Sequence, residues 1–158
     1  MKYILYSFLL INIASCGFTP IYNNNEIYTN LTAIKVEDIN GEIGFKLKSK
    51  IEESLNPLIS NNDVNYSLSI NLNKVTSPLA IQRDNYAIRY NMTITADYKL
   101  LKIDNQQIID QGSINMITSY NAGAPFANFV SEENAENNNL IELASEIKRR
   151  LILVLYQS

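Results

Sequence analysis

The chain of 158 residues contains no histidine and only one cysteine, Cys16. The commonest general base and the commonest metal ligand are therefore both missing. A serine–histidine triad is excluded, and a zinc site would have to be built from carboxylates alone. No P-loop, dinucleotide fingerprint or EF-hand spacing occurs. The catalytic chemistry that remains, a pair of carboxylates, finds Asp and Glu scattered over polar faces. An enzyme is not expected, and no cofactor or metal is implied. Basic residues are scarce too, 13 against 16 acidic, for a net charge of −3. Nucleic acid, bound chiefly through cationic contacts to phosphate, is not an expected partner. An anionic ligand would need a local basic cluster working against the overall field.

At the N-terminus, Lys2 precedes an apolar run from Ile4 to Ile13. The run is too short to span a bilayer, for which about 20 residues are needed, but it has the length of a secretory signal core. Small residues lead into the cysteine at Ile13-Ala14-Ser15-Cys16. The arrangement resembles a bacterial lipobox, in which Cys16 is acylated and becomes the first mature residue. A structural cysteine behind an ordinary signal or a membrane helix is the alternative. Acylation would leave no thiol for a disulfide, a metal site or a nucleophile. Several acyl chains anchor a protein stably where one binds only marginally. Gly17 rather than aspartate follows the cysteine, which favours lipid anchoring at the periplasmic face of the cell outer membrane.

Residues 1–15 thus read as a signal peptide and 16–30 as the lipidated cysteine and a flexible tether. Gly17, Pro20 and Asn23-Asn24-Asn25 show no periodicity in that tether. Residues 31–158 read as one α+β domain with two amphipathic helices packed on one face of a four-stranded mixed sheet, in the order β-α-β-β-β-α. A first strand is expected over Thr32–Ile39, where Ile34 and Val36 alternate with Lys35 and Glu37. Ile43, Leu47, Ile51 and Leu55 recur every four residues as a helical stripe that Pro57 ends. Val64–Lys74 reads as the second strand. From Tyr86 to Leu100 every even position is apolar or aromatic, and the odd ones are polar apart from Ala87. That pattern means a long strand buried on one face. Ile108–Tyr120 returns as a fourth strand after a turn at Asp104-Asn105, with Gly112 as a candidate bulge. Ser131 is the expected N-cap of the last helix, which runs to about Tyr156. Lys148, Arg149 and Arg150 read as a solvated, dipole-matched face or as a binding patch. The helix-free face of the sheet presents Thr, Asn, Arg, Asp and Lys. Such a face either meets water or docks against a wet polar wall, such as the lumen of a large barrel.

Three stretches together carry a family resemblance: IASCGFTPIY (13–22), LAIQRDNYAIRYNMTITADYKL (79–100) and SEENAENNNLIELASEIKRRL (131–151). In this order they resemble LptE, the lipopolysaccharide-assembly lipoprotein family, and in particular its short alphaproteobacterial type. The resemblance implies a non-catalytic plug that stabilises an LptD-type outer-membrane barrel, binds lipopolysaccharide through lipid A and helps deliver it to the outer leaflet. Family ligand contacts are basic residues on loops at one end of the domain, and Arg83 occupies the position that resembles one of them. Its role would be a bidentate grip on a lipid A phosphate; a solvated loop arginine is the plain alternative. Arg89 and then Lys74 are further candidates. Where some relatives carry a second cation before the last helix, this chain has Asn128, Phe129 and Val130. Phe126 and Phe129 either anchor the helix start or contact acyl chains or a barrel wall. Two other functions are kept open. One is an auxiliary lipoprotein of an intermembrane lipid-transport system, and the other is a carboxylate hydrolase of envelope polymers.

Overall fold

The computed structural model describes residues 31–55, 64–81, 87–121 and 125–157. The elements are β1 (Ile34–Val36), α1 (Gly41–Leu55), β2 (Tyr66–Ile81), β3 (Ala87–Lys102), β4 (Gln107–Asn121) and α2 (Pro125–Gln157). They form one four-stranded sheet in the spatial order β1-β2-β3-β4. β1 lies parallel to β2, while β2–β3 and β3–β4 are antiparallel. The α+β architecture and its element order agree with the sequence reading.

Period-two patterning decides which face is covered. Met92, Ile94, Ala96, Tyr98 and Leu100 of β3 are buried, together with Leu68 and Ile70 of β2 and Ile114 of β4. They pack with Leu47, Ile51 and Leu55 of α1 and with Leu140, Leu143, Ala144, Ile147, Leu151 and Leu155 of α2 in one core. The odd residues of β3 face away from both helices. Each fully buried aliphatic side chain contributes about 1.5–3 kcal/mol, so this single layer is the main source of stability. At its lower end Lys148 Nζ donates to the Ser54 carbonyl at 2.7 Å. It thereby satisfies one of the carbonyls that the last turn of α1 leaves unpaired.

Four boundaries differ from the sequence expectation. β1 holds three residues, against the eight-residue span Thr32–Ile39. β2 runs seven residues past Lys74, through Thr76, Ser77 and Pro78, because its partner β3 supplies the pairing that its own pattern does not announce. The β4 irregularity falls between Leu100/Asp110 and Leu101/Ile108, leaving Ile109 as the extra residue. Gly112 is instead in regular register opposite Tyr98. A Cβ at Gly112 would stand 3.2 Å from the Tyr98 ring and 3.3 Å from Arg150 Nη1, so glycine there makes room for a side-chain cluster. Finally, α2 begins at Pro125, so Ser131 is an interior residue and not its N-cap. Proline suits the first helical turn, where its missing N–H has no partner to lose. The signal peptide and tether lie outside the described residues.

The three basic residues of α2 are structural. Arg149 grips Glu146 through Nε at 2.8 Å and Nη2 at 2.7 Å, and Arg150 Nε donates to the same carboxylate at 3.0 Å. Arg150 Nη1 also reaches the Tyr98 hydroxyl at 3.4 Å, and that hydroxyl donates to Asp110 at 2.7 Å. The Arg149 hydrogen bond, helped by Arg150 and opposed by partial burial, holds the Glu146 carboxyl down to about 2. A carboxyl depressed in this way contributes its stability above the ordinary carboxylate range and loses it as pH falls through about 2. Glu146→Gln is therefore expected to flatten the decline in urea midpoint between about pH 4.5 and pH 2, with little change in slope at neutral pH. An acid limb that stays as steep as the parent's would count against this assignment.

Candidate functional site

Two surfaces stand out among the described residues: a cleft at the start of α1, and the sheet face that no described helix covers. Gly41, at φ 83°, turns the chain into α1, a backbone conformation that glycine adopts without strain. The first turns of α1 thereby come to border a cleft of about 640 Å³. Its floor is apolar, from Leu72 of β2 and Ile94 of β3, and Ile43 and Phe129 flank it. Phe129 is 67% exposed, an uncommon setting for a phenyl ring.

The polar lining forms a paired network. Lys46 Nζ lies 2.8 Å from Glu42 and 3.2 Å from Glu136. Lys74 Nζ lies 2.9 Å from Glu136 and 3.1 Å from Glu132. Lys74 belongs to this cleft because it shares the covered face of β2 with Leu68, Ile70 and Leu72. Burial opposes its charge, but the Glu136 and Glu132 carboxylates outweigh that and hold its pKa above the usual lysine value. Burial likewise works against ionisation of Glu136, and Lys74 with Lys46 overcomes it, so the carboxyl titrates below its ordinary range. An incoming phosphate would have to displace these carboxylates, and Glu133 adds a further negative charge to the wall.

The uncovered face is built differently. Cross-strand rows run Asn71–Asp97–Ser113, Asn73–Thr95–Asn115 and Ser77–Asn91–Ser119. Ser119 Oγ donates to Asn91 Oδ1 at 2.6 Å, linking two strands on this side. The surface is rich in short amide and hydroxyl groups and carries few full charges.

The sequence-derived site residues are not gathered in one place by the described structure. Lys74 sits in the cleft, ion-paired on both sides. Arg89 is exposed on β3 next to Asn121 of β4, and no carboxylate among the described residues pairs with it. Arg83 and Cys16 lie outside the described residues. Sequence reasoning missed Glu136 and Glu132 as partners of Lys74, and Lys46 as the second cation on Glu136, because the network spans three elements far apart in the chain. Among the described residues there is no cluster of three or more potential metal ligands, and no helix is long and apolar enough to cross a membrane.

Residues 31–155 match the family profile described as LptE: Lipopolysaccharide-assembly. The chain belongs to the LptE family. An uncharacterized protein of Rickettsia prowazekii (strain Madrid E) is 28% identical over 157 residues, covering 97% of each chain. Among solved structures, the LptE-family fold is shared with a putative lipoprotein from Caulobacter crescentus CB15. Its TM-score is 0.68 at 18% identity, with 84% of this chain and 97% of that one covered. A minor lipoprotein from Acinetobacter baumannii gives 0.59 at 14% identity, over 76% of this chain and 91% of that one. The rare lipoprotein B from Shewanella oneidensis gives 0.56 at 13% identity, over 75% and 90%. At such identities the structural likeness shows the fold, and membership of the LptE family rests on the sequence match.

Proposed function

We propose that this LptE-family chain is a non-catalytic outer-membrane lipoprotein of lipopolysaccharide assembly, acylated at Cys16, that seats its domain inside an LptD-type barrel. The family match over residues 31–155 carries the reading. The uncovered sheet face, polar and low in charge, supplies a surface suited to a wet barrel wall. Lipopolysaccharide is met at the end of the domain where Ile81 of β2 pairs with Ala87 of β3. Arg83 grips a lipid A phosphate there, and Arg89, exposed and free of carboxylate partners among the described residues, assists. Lys74 contributes least, since its ammonium is already held by Glu132 and Glu136.

The test is affinity purification of the acylated protein from outer membranes, with mass spectrometry of what co-elutes. A stoichiometric LptD-type barrel is the expected result. Components of an inner-membrane lipid transporter with no barrel would overturn the reading in favour of an auxiliary transport lipoprotein. Arg83→Glu is expected to weaken lipopolysaccharide binding about tenfold or more while barrel recovery stays at the parent level. Unchanged lipopolysaccharide binding by that variant would remove Arg83 from the site.

A further inference from the structure

Asn40-Gly41 is the only asparagine–glycine pair in the chain. It forms the joint at which the chain turns into α1. Gly41 is the first helical residue, at φ 83°, and Asn40 stands in the capping position before it. Both residues are exposed. Asparagine in that position ordinarily accepts a hydrogen bond from one of the first backbone N–H groups of the helix. Among the described residues, however, nothing hydrogen-bonds to the Asn40 carboxamide. The Gly41 N–H belongs to the first turn, whose N–H groups have no intrahelical acceptor. A Cβ at Gly41 would meet nothing within 4 Å, so the space beside its nitrogen is open. Nucleophile and electrophile are thus adjacent in sequence and both in water, and no partner among the described residues has to be given up for them to react. We propose that Asn40 is a self-modification site, at which the folded protein converts its own asparagine into a carboxylate.

The step balances with water alone and needs no oxidant or cofactor. The Gly41 backbone nitrogen gives its proton to solvent base and attacks Asn40 Cγ. A new N–Cγ bond forms, the Cγ–Nδ2 bond breaks, and Nδ2 takes a proton from water and leaves as ammonia. Water then opens the resulting five-membered succinimide. Cleavage at Cγ gives aspartate, and cleavage at the main-chain carbonyl carbon gives isoaspartate, whose chain runs through Cβ. Either product adds a negative charge to the cleft, which Asn40 lines together with Glu42, Glu132, Glu133 and Glu136. The new charge stands at the N-terminus of α1, where the helix dipole favours it. Isoaspartate also lengthens the chain by one methylene just after Ile39, whose carbonyl packs against Gly44. Other asparagines are restrained. Asn139 is buried, and its amide is bonded to Met92 and Thr118. Asn105 is exposed, but its Oδ1 accepts from the Gln107 N–H at 3.1 Å, and Gln106 follows it instead of glycine. A restraint worth one net hydrogen bond slows such a step by about tenfold. The chemistry is independent of the lipopolysaccharide-assembly reading.

The test uses the full-length chain in detergent, held folded at neutral and at mildly alkaline pH and then digested with trypsin beside an unincubated sample. The peptide spanning residues 36–46 is expected to gain the mass that exchange of an amide nitrogen for an oxygen brings. Isoaspartyl methyltransferase should label the same peptide. Conversion there should run about tenfold faster than at Asn105, and it should quicken with pH because the attacking nitrogen must lose its proton. Asn40→Gln is expected to abolish the label, and a label of parental strength in that variant would place the modification elsewhere. No conversion of residues 36–46 in the folded chain, over a time in which the urea-unfolded chain converts, would overturn the proposal. Conversion at Asn105 as fast as at Asn40 would overturn it too, since the joint at α1 would then have no special part.

Discussion

Asn139→Asp is expected to destabilise the fold by about 3–5 kcal/mol at neutral pH, because it buries a charge that only one hydroxyl would stabilise. Asn139 is 1% exposed on the inner side of α2. Its amide nitrogen donates to the Met92 carbonyl at 3.2 Å, and its oxygen accepts from the Thr118 hydroxyl at 2.6 Å. Replacing the amide by a carboxylate keeps the second bond but turns the first into an approach of two oxygens. Burial raises the folded-state pKa of the introduced group above its unfolded value of about 3.9. The penalty is therefore small below that unfolded value, grows as pH rises past it, and levels off above the folded-state pKa. Urea melts across a pH series would show this, with the variant approaching its parent only in acid. Parent-like stability at pH 7 would mean that α2 can move Asn139 into water at little cost.

Gly44→Ala should lose about 1–3 kcal/mol, although alanine is the better helix former by about 1 kcal/mol. A Cβ at Gly44 would stand 2.5 Å from the Ile39 carbonyl oxygen, 2.7 Å from its carbon and 2.8 Å from Ile39 Cγ2. Two of those atoms are backbone, so relief requires the chain between β1 and α1 to shift rather than a side chain to rotate. A lower urea midpoint with an unchanged m-value is the expected outcome. A midpoint equal to or above the parent's would show that this connection gives way freely.

These two residues also show where sequence reading stops. β3 was legible because all its information is local: the alternation from Tyr86 to Leu100 needs no knowledge of what packs against it. The stripe of α1 was legible for the same reason. Asn139, by contrast, stands in a run of three asparagines that compositional bias accounts for equally well. Only the arrival of Met92 and Thr118 beneath it separates it from Asn137 and Asn138. The far half of β2 carries Thr76, Ser77 and Pro78, which read as a loop until β3 is laid beside them. The start of α2 was misplaced because Ser131 followed by two glutamates imitates a helix N-terminus, while Pro125 carries the actual one. For the site, the charges were visible but their partners were not. From the sequence Lys74 is only the last of three candidate phosphate contacts, and the fold brings Glu136 and Glu132 to it from α2.

Under the anchoring through Cys16 proposed above, the shortness of β1 would have a mechanical consequence. Tension between that anchor and the domain would enter the described fold at Leu31 and reach the sheet through three parallel pairs, Ile34–Tyr66 to Val36–Leu68. β2, β3 and β4 are held to one another by far longer ladders, with α2 packed across β3 and β4. Local opening starts where the fewest backbone bonds resist it. Under such a load β1 would give way first, and the meander behind it would keep its shape.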